Sequence, residues 1–144
     1  MNRYYRGKPT QPYRNYSTDD YIVGFLVYEL LHQKINGQSL APAIIPVNKD
    51  GYADFDEHGD LITVLVTPET IGQETNVHTE DGISIYAGDY IEAYSGDSLV
   101  VKGKVEFGNG SFVIKENEDD EGYCLCLAHS ENLNIKIVKE EKGE

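Results

Sequence analysis

The stretch from Val66 to Tyr94, VTPETIGQETNVHTEDGISIYAGDYIEAY, decides the fold. It opens with a compact helix start. Thr67 suits an N-cap whose hydroxyl accepts an N–H, and Pro68 suits the first helical position. Glu69 sits near the positive helix end, with Thr70 after it, and Gly72 limits the helix to about one turn. Thr79-Glu80-Asp81-Gly82 is a turn cluster, after which Ile83 and Ile85 alternate with Ser84 and Tyr86 as a strand. Ala87-Gly88-Asp89 is a corner, and Tyr90, Ile91 and Ala93 carry the chain onward. Asp89 is the most specific polar position. Its short carboxylate can bond backbone N–H groups and fix such a corner. A catalytic role would need a second titrating group nearby, and the sequence places none, so Asp89 reads as structural.

Downstream, the pattern is strand and turn repeated. Ser95-Gly96-Asp97 turns, Leu99 to Glu106 alternates in part, and Gly108-Asn109-Gly110 is a hairpin signal before Ser111 to Lys115. Glu116 to Gly122 is a loop too charged to bury. Tyr123 to Ala128 and Leu133 to Val138 read as the last two strands. Short strands with Gly-rich turns over residues 83–138 predict a small, strongly bent barrel of the SH3-like sort.

Upstream, Leu61 to Val66 is a continuous apolar run, predicting a strand buried on both faces. Asp54 to Asp60 is an acidic loop, Asn48 to Gly51 a turn, and Ala43 to Val47 a short strand. Residues 21–31, YIVGFLVYELL, fit two readings. Ser17 and Asp20 resemble a capping box, with apolar residues at Ile22, Leu26 and Leu30. Against that, Ile22, Val23, Phe25, Val27 and Tyr28 favour a strand, and Gly24 weakens a helix. A strand is expected, its tail from Glu29 to Lys34 forming a helical turn stopped by Gly37. The resulting organisation is a basic aromatic arm over residues 1–20, a β-rich region over 21–80 with a helical turn near 67–71, a barrel over 81–139 and a frayed tail over 140–144.

Composition bounds the function. The 144 residues carry a net charge of −13, yet the first 18 hold Arg3, Arg6, Lys8 and Arg14 with no acid, which leaves −17 for the remainder. An acidic body repels duplex DNA and membrane surfaces, and keeps the chain soluble. It also admits a sharper reading, in which the surface imitates nucleic acid. No run approaches the roughly 20 apolar residues of a membrane span, and the N-terminus lacks a secretory apolar core, so a cytoplasmic protein is expected. In the arm, Tyr4, Tyr5, Tyr13 and Tyr16 interleave with the basic residues. Such a mixture suits stacking on bases and contact with phosphates. The alternative is that the tyrosines pack back onto the domain as a first strand.

Neither a catalytic set nor a cofactor motif is visible. His32, His58, His78 and His129 are scattered, and no phosphate loop or nucleophile elbow occurs. Cys124, Cys126 and His129 offer three zinc ligands without a fourth, and the two thiols read better as small strand side chains in a reducing compartment. Asp54, Asp56, Glu57 and Asp60 are spaced loosely like a calcium loop, with Gly59 at the sixth position. Leu65 stands where the bidentate glutamate belongs. No metal or cofactor is expected.

With its motifs in order over about residues 6–138, the chain resembles the YopX family of small proteins of phages and prophages of Gram-positive bacteria. The matching residues are Arg6-Gly7-Lys8, Tyr21 with Gly24, Pro68-Glu69-Thr70-Ile71-Gly72-Gln73, Asp81-Gly82 and Ile85-Tyr86-Ala87-Gly88-Asp89. GKVEFGNGSFVI, residues 103–114, matches the family's hairpin. Tyr21 stands where a tryptophan is usual, Glu74 for an aromatic, Asn76 for a glycine and Ala87 for a glutamate. Asn76 can take the left-handed conformation of a glycine. The resemblance implies a mainly β chain with an N-terminal β-rich region packed on the small barrel. It also implies activity inside a host bacterium, and it brings no catalytic residues. It favours the strand over residues 21–28.

A non-enzymatic accessory protein is therefore expected, one that binds a host or phage macromolecule, most readily a protein. Two alternatives stand beside it: an acidic inhibitor of a host DNA-binding protein, and single-strand nucleic-acid binding through the arm. The candidate surfaces are Glu74, Asn76 and His78, where the chain departs from the family, and the cations Arg3, Arg6, Lys8 and Arg14.

Overall fold

A computed structural model describes residues 4–33, 37–108, 110–119 and 121–139. The described strands are β1 (Tyr5–Gly7), β2 (Ile22–Gln33), β3 (Gly37–Pro46), β4 (Val64–Leu65), β5 (Gly72–His78), β6 (Ser84–Tyr86), β7 (Tyr90–Ser95), β8 (Ser98–Gly108), β9 (Ser111–Lys115), β10 (Tyr123–Cys124) and β11 (Asn134–Val138). One short helix, α1 (Leu125–Ser130), precedes β11, and a turn of 3-10 helix, Pro68–Thr70, precedes β5. The chain is mainly β, as its sequence predicts, and forms two compact units that divide between Gln73 and Glu74.

In the first unit, β2 and β3 make a long antiparallel hairpin, paired from Gly24↔Pro46 to Gln33↔Gly37. The expected helical turn after Glu29 is a continuation of β2. Local helix preference at Glu29 to Leu31 is overridden by pairing with Ala41, Leu40 and Ser39. Lys34 lies outside the described residues. β1 pairs with β2 on one side and with Gly72 and Gln73 of β5 on the other. The first tyrosines thus sit in and beside an interior strand. Ile22, Ile44, Val64 and Val66 form the core of this unit, with Tyr5, Tyr13, Leu26, Ile62 and Ile71 packed against them. Gly24 is required where β2 passes β3, because a Cβ there would run into the Ile45 carbonyl.

Three expectations in this unit change. Only Val64 and Leu65 of the 61–66 run are strand, and they pair with β3 alone. Burial alternates: Val64 and Val66 face the core, whereas Leu61 is 49% exposed. An edge position needs one apolar face, not two. Thr67 makes no side-chain cap; its carbonyl accepts from the Thr70 N–H instead. Gly72 does not end the helix, whose C-cap is Ile71, and is the buried first residue of β5 opposite Arg6.

The second unit contains a five-stranded antiparallel sheet in the order β10-β9-β8-β7-β11, curled into a half-barrel, together with β6 and the residues of β5 from Glu74 onward. Its core holds Val77, Ile85, Ile91, Ala93, Val101, Val105, Phe112, Ile114, Leu125, Ala128 and Ile135. Gly103 is required in β8, because a Cβ there would overlap the Lys115 carbonyl. Tyr123 to Ala128 is not one strand: β10 stops at Cys124 and α1 follows. Leu125 and Ala128, three apart, are fully buried, while Cys126 and Leu127 are exposed. A period near three, not two, fits that burial. The two cysteines are free, and Cys126 lies on the helix, so they do not share a strand face.

Candidate functional site

The Val66–Tyr94 stretch is held by its own polar side chains. The Thr70 hydroxyl accepts from the Lys8 N–H at 2.8 Å and donates to the Thr67 carbonyl at 2.6 Å. Pro68 and Glu69 are exposed on the helical turn, and Gln73 pairs with Tyr5. At the corner, Gly88 takes φ 101°, a region an L side chain rarely enters. Asp89, 8% exposed, accepts the Tyr86 N–H on Oδ2 at 2.9 Å, and its own N–H donates to the Tyr86 carbonyl at 3.0 Å. The Gly88 N–H donates to the Val105 carbonyl, and the Val105 N–H to the Asp89 carbonyl, both at 2.8 Å. The Asp89 carboxylate thus bonds a backbone N–H at the corner.

Glu74, Asn76 and His78 lie on β5, whose register against β6 shifts between Glu74 and His78. Asn76 takes φ 66°, the left-handed conformation expected of it. Thr75, which sequence reasoning passed over, holds the irregularity: its buried hydroxyl donates to the Ile85 carbonyl at 2.7 Å and accepts the Val77 N–H at 3.1 Å. Glu74 accepts from the Tyr86 hydroxyl at 3.4 Å, and His78 is exposed opposite Ser84.

The N-terminal cations are engaged within the first unit. The Arg6 guanidinium sits over the Tyr21 ring at 3.9 Å, and the Lys8 ammonium shares that ring at 5.0 Å. Arg14 pairs with Asp54 at 3.2 Å and lies 5.2 Å from the Tyr13 ring. Burial raises the Tyr13 hydroxyl pKa above its ordinary value of 10.0, with opposing help from Arg14 and further raising by Asp54 and Tyr16. Arg3 lies outside the described residues. Among the described residues no three of His, Cys, Asp and Glu form a group able to hold a metal.

A different surface gathers charge: the outer face of the curled sheet. Strand alternation puts Ile91, Ala93, Val101 and Val105 inward, which turns Tyr90, Glu92, Tyr94, Lys102, Lys104 and Glu106 outward. Pairing places Lys104 opposite both Tyr90 and Lys115, and Glu92 opposite both Lys102 and Lys136. The face holds a cavity of about 410 Å³, lined by Tyr90, Glu92, Lys102, Lys104, Lys115 and Lys139 among others. Lys115 reaches Glu106 at 3.9 Å, and Lys136 lies 5.4 Å from the Tyr94 ring. The Tyr94 hydroxyl donates to Glu92 at 2.8 Å, and this bond raises the tyrosine pKa above 10.0. Residues 74–144 contain sixteen acids and six bases. All five described bases stand on this face or at the rim of its cavity. Sequence reasoning did not assemble it, although Tyr-x-Glu-x-Tyr and Lys-Gly-Lys-Val-Glu already alternate with strand period.

None of the described helices is long and apolar enough to cross a membrane. Compared with known family models, curated proteins and solved structures, the chain matches none.

Proposed function

We propose that this chain is a YopX-like phage accessory protein that works in the bacterial cytoplasm by binding, without catalysis, a host or phage protein through the outer face of its curled sheet. One observation carries the reading: in an otherwise acidic unit, four of the five described lysines line one cavity together with Tyr90 and four glutamates, and Lys136 and Tyr94 stand on the same sheet face. Tyrosines among mixed charges suit a protein partner, since aromatic side chains supply contact area and charges set orientation. The arm is a weaker candidate for nucleic acid, because Arg6, Lys8 and Arg14 already have partners. Deleting residues 1–16 would also remove β1 from between β2 and β5, so that truncation reports on folding rather than on binding.

Charge imitation is the second reading, and the excess of ten acids over bases in residues 74–144 favours it. Capture from a Gram-positive lysate, identified by mass spectrometry, separates the two. A protein retained by the native chain and lost from Lys102→Glu/Lys104→Glu supports the cationic face. Recovery of DNA-binding proteins, weakened by salt but indifferent to that change, supports imitation. Turnover of nucleotide or nucleic acid in a broad activity screen would remove the non-enzymatic reading.

A further inference from the structure

We infer that the open edge of β11 takes up an extended basic peptide as an added strand. This edge is distinct from the outer face and belongs to the same unit. β11 is the last strand of its sheet and, among the described residues, pairs with β7 alone. In an antiparallel pair, alternate residues turn their N–H and C=O groups toward the partner, and the others turn theirs away. The far side of Asn134–Val138 therefore presents a row of backbone donors and acceptors that can template another strand.

That edge lines a groove of about 250 Å³, whose other wall is the turn from Thr79 to Ile83. The turn closes on itself. The Ile83 N–H donates to the Thr79 hydroxyl at 3.2 Å, the Ile83 carbonyl accepts the Thr79 N–H at 2.9 Å, and the Gly82 N–H donates to the Thr79 carbonyl at 2.9 Å. The turn thus shapes the groove, while β11 supplies the backbone groups. Apolar side chains lie between them. Ile135 and Ile137 share one strand face, yet Ile135 is 3% exposed, Ile137 is 37% exposed, and Ile83 across the groove is 55% exposed. The inner face of the half-barrel is open at this edge, and an added strand covers it with every second side chain.

Charge selects the occupant. Glu80 and Asp81 are exposed on the turn wall and, among the described residues, form no ion pair. Lys136 also borders the groove, but strand alternation turns it away from Ile135 and Ile137, and its ammonium lies 5.4 Å from the Tyr94 ring on the outer face. The unit holds ten more acids than bases. Such a surface draws a basic segment and repels an acidic one or a nucleic acid. A second copy of the chain fits worse. Two β11 strands in full antiparallel overlap would set Lys136 opposite Lys136 and bring two acidic units together. The fitting partner matches the five residues of β11 with branched apolar side chains at alternate positions, which meet Ile83 and Ile137. Lys or Arg residues flank that core, on stems long enough to reach the acidic rim.

The test is fluorescence anisotropy of a labelled peptide, Lys-Lys-Val-Thr-Ile-Thr-Val-Lys-Lys blocked at both ends, titrated with the full chain at low salt. Saturable one-to-one binding is expected. N-methylation of the peptide's central Thr-Ile pair removes an N–H from either side of the strand, and should weaken binding about tenfold or more. Glu80→Lys/Asp81→Lys should also weaken it about tenfold. Asp119→Lys/Glu121→Lys, the same charge change in the loop before the opposite edge strand β10, should cost less than about threefold. Backbone NMR of the native chain should place the shifted amides at Asn134–Val138 and Thr79–Ile83. Circular dichroism of each variant confirms that the fold is retained. Four results overturn the proposal: no saturable binding, equal binding of the N-methylated peptide, equal weakening by the two charge variants, or shifted amides at Tyr90 and Lys104 in place of β11. Dimerisation of the native chain that Ile137→Lys abolishes would assign the edge to a second copy and overturn it too. None of these results touches capture through Lys102 and Lys104, which tests the outer face by itself.

Discussion

The two units treat their charges in opposite ways. In the first, nine acids face six bases, and the described N-terminal cations are spent on rings and on Asp54. In the second, sixteen acids surround six bases, and the described cations are held together on one face and mostly left without ion pairs. The described cores differ too: among the described residues, four clustered buried residues anchor the first and eleven the second. A basic stretch in a sequence is therefore a poor guide to a cationic surface. The aromatic neighbours of a cation decide whether it is available, and strand pairing decides which cations meet.

The largest effect should come from testing the cores against each other. Ile114 and Ile44 are both fully buried, so their truncation removes the same atoms. Ile114→Ala should cost about 4 kcal/mol and Ile44→Ala about 2–3 kcal/mol, because a smaller core can collapse around the void. Urea denaturation followed by site-specific probes in each unit measures both. Equal losses would break the contrast in core size.

The corner comes next. Asp89→Ala strips the acceptor from a buried Tyr86 N–H and should cost about 1–3 kcal/mol in the second unit. Asp89→Asn keeps an acceptor oxygen and should cost less. If both cost nothing, Gly88 alone makes the corner.

The smallest effect is a shifted titration. Hydrogen bonding to Glu92 raises Tyr94 in the folded state, followed by burial and the carboxylate charge. A raised folded pKa means that this bond is fully present below the ordinary tyrosine value of 10.0 and is lost as pH rises through the raised one. Glu92→Gln should move Tyr94 ionisation back toward 10.0, read by ultraviolet or NMR titration. An unmoved titration would show that the carboxylate is not its cause.

Much of the local structure was legible in the sequence. Gly88-Asp89, Asn76 and Thr79 to Gly82 each carry a conformational demand that a single residue type reveals. The Gly82 N–H duly donates to the Thr79 carbonyl at 2.9 Å. Elements that depend on distant partners were not legible. Leu125 to Ala128 looks like a strand until burial selects Leu125 and Ala128 together. Glu29 to Gln33 looks helical until β3 pairs with it. The candidate face is of the second kind. Lys136 meets Glu92, and Lys115 meets Lys104, only through cross-strand register.

The claim that the second unit's cations are the available ones is tested most directly by partner capture with two charge-reversal variants. One reverses Lys102 and Lys104 on the outer face, and the other reverses Arg14 in the first unit. Loss of the captured protein from the first variant, with retention by the second, is predicted. Retention by the outer-face variant with loss from the Arg14 variant would contradict the account.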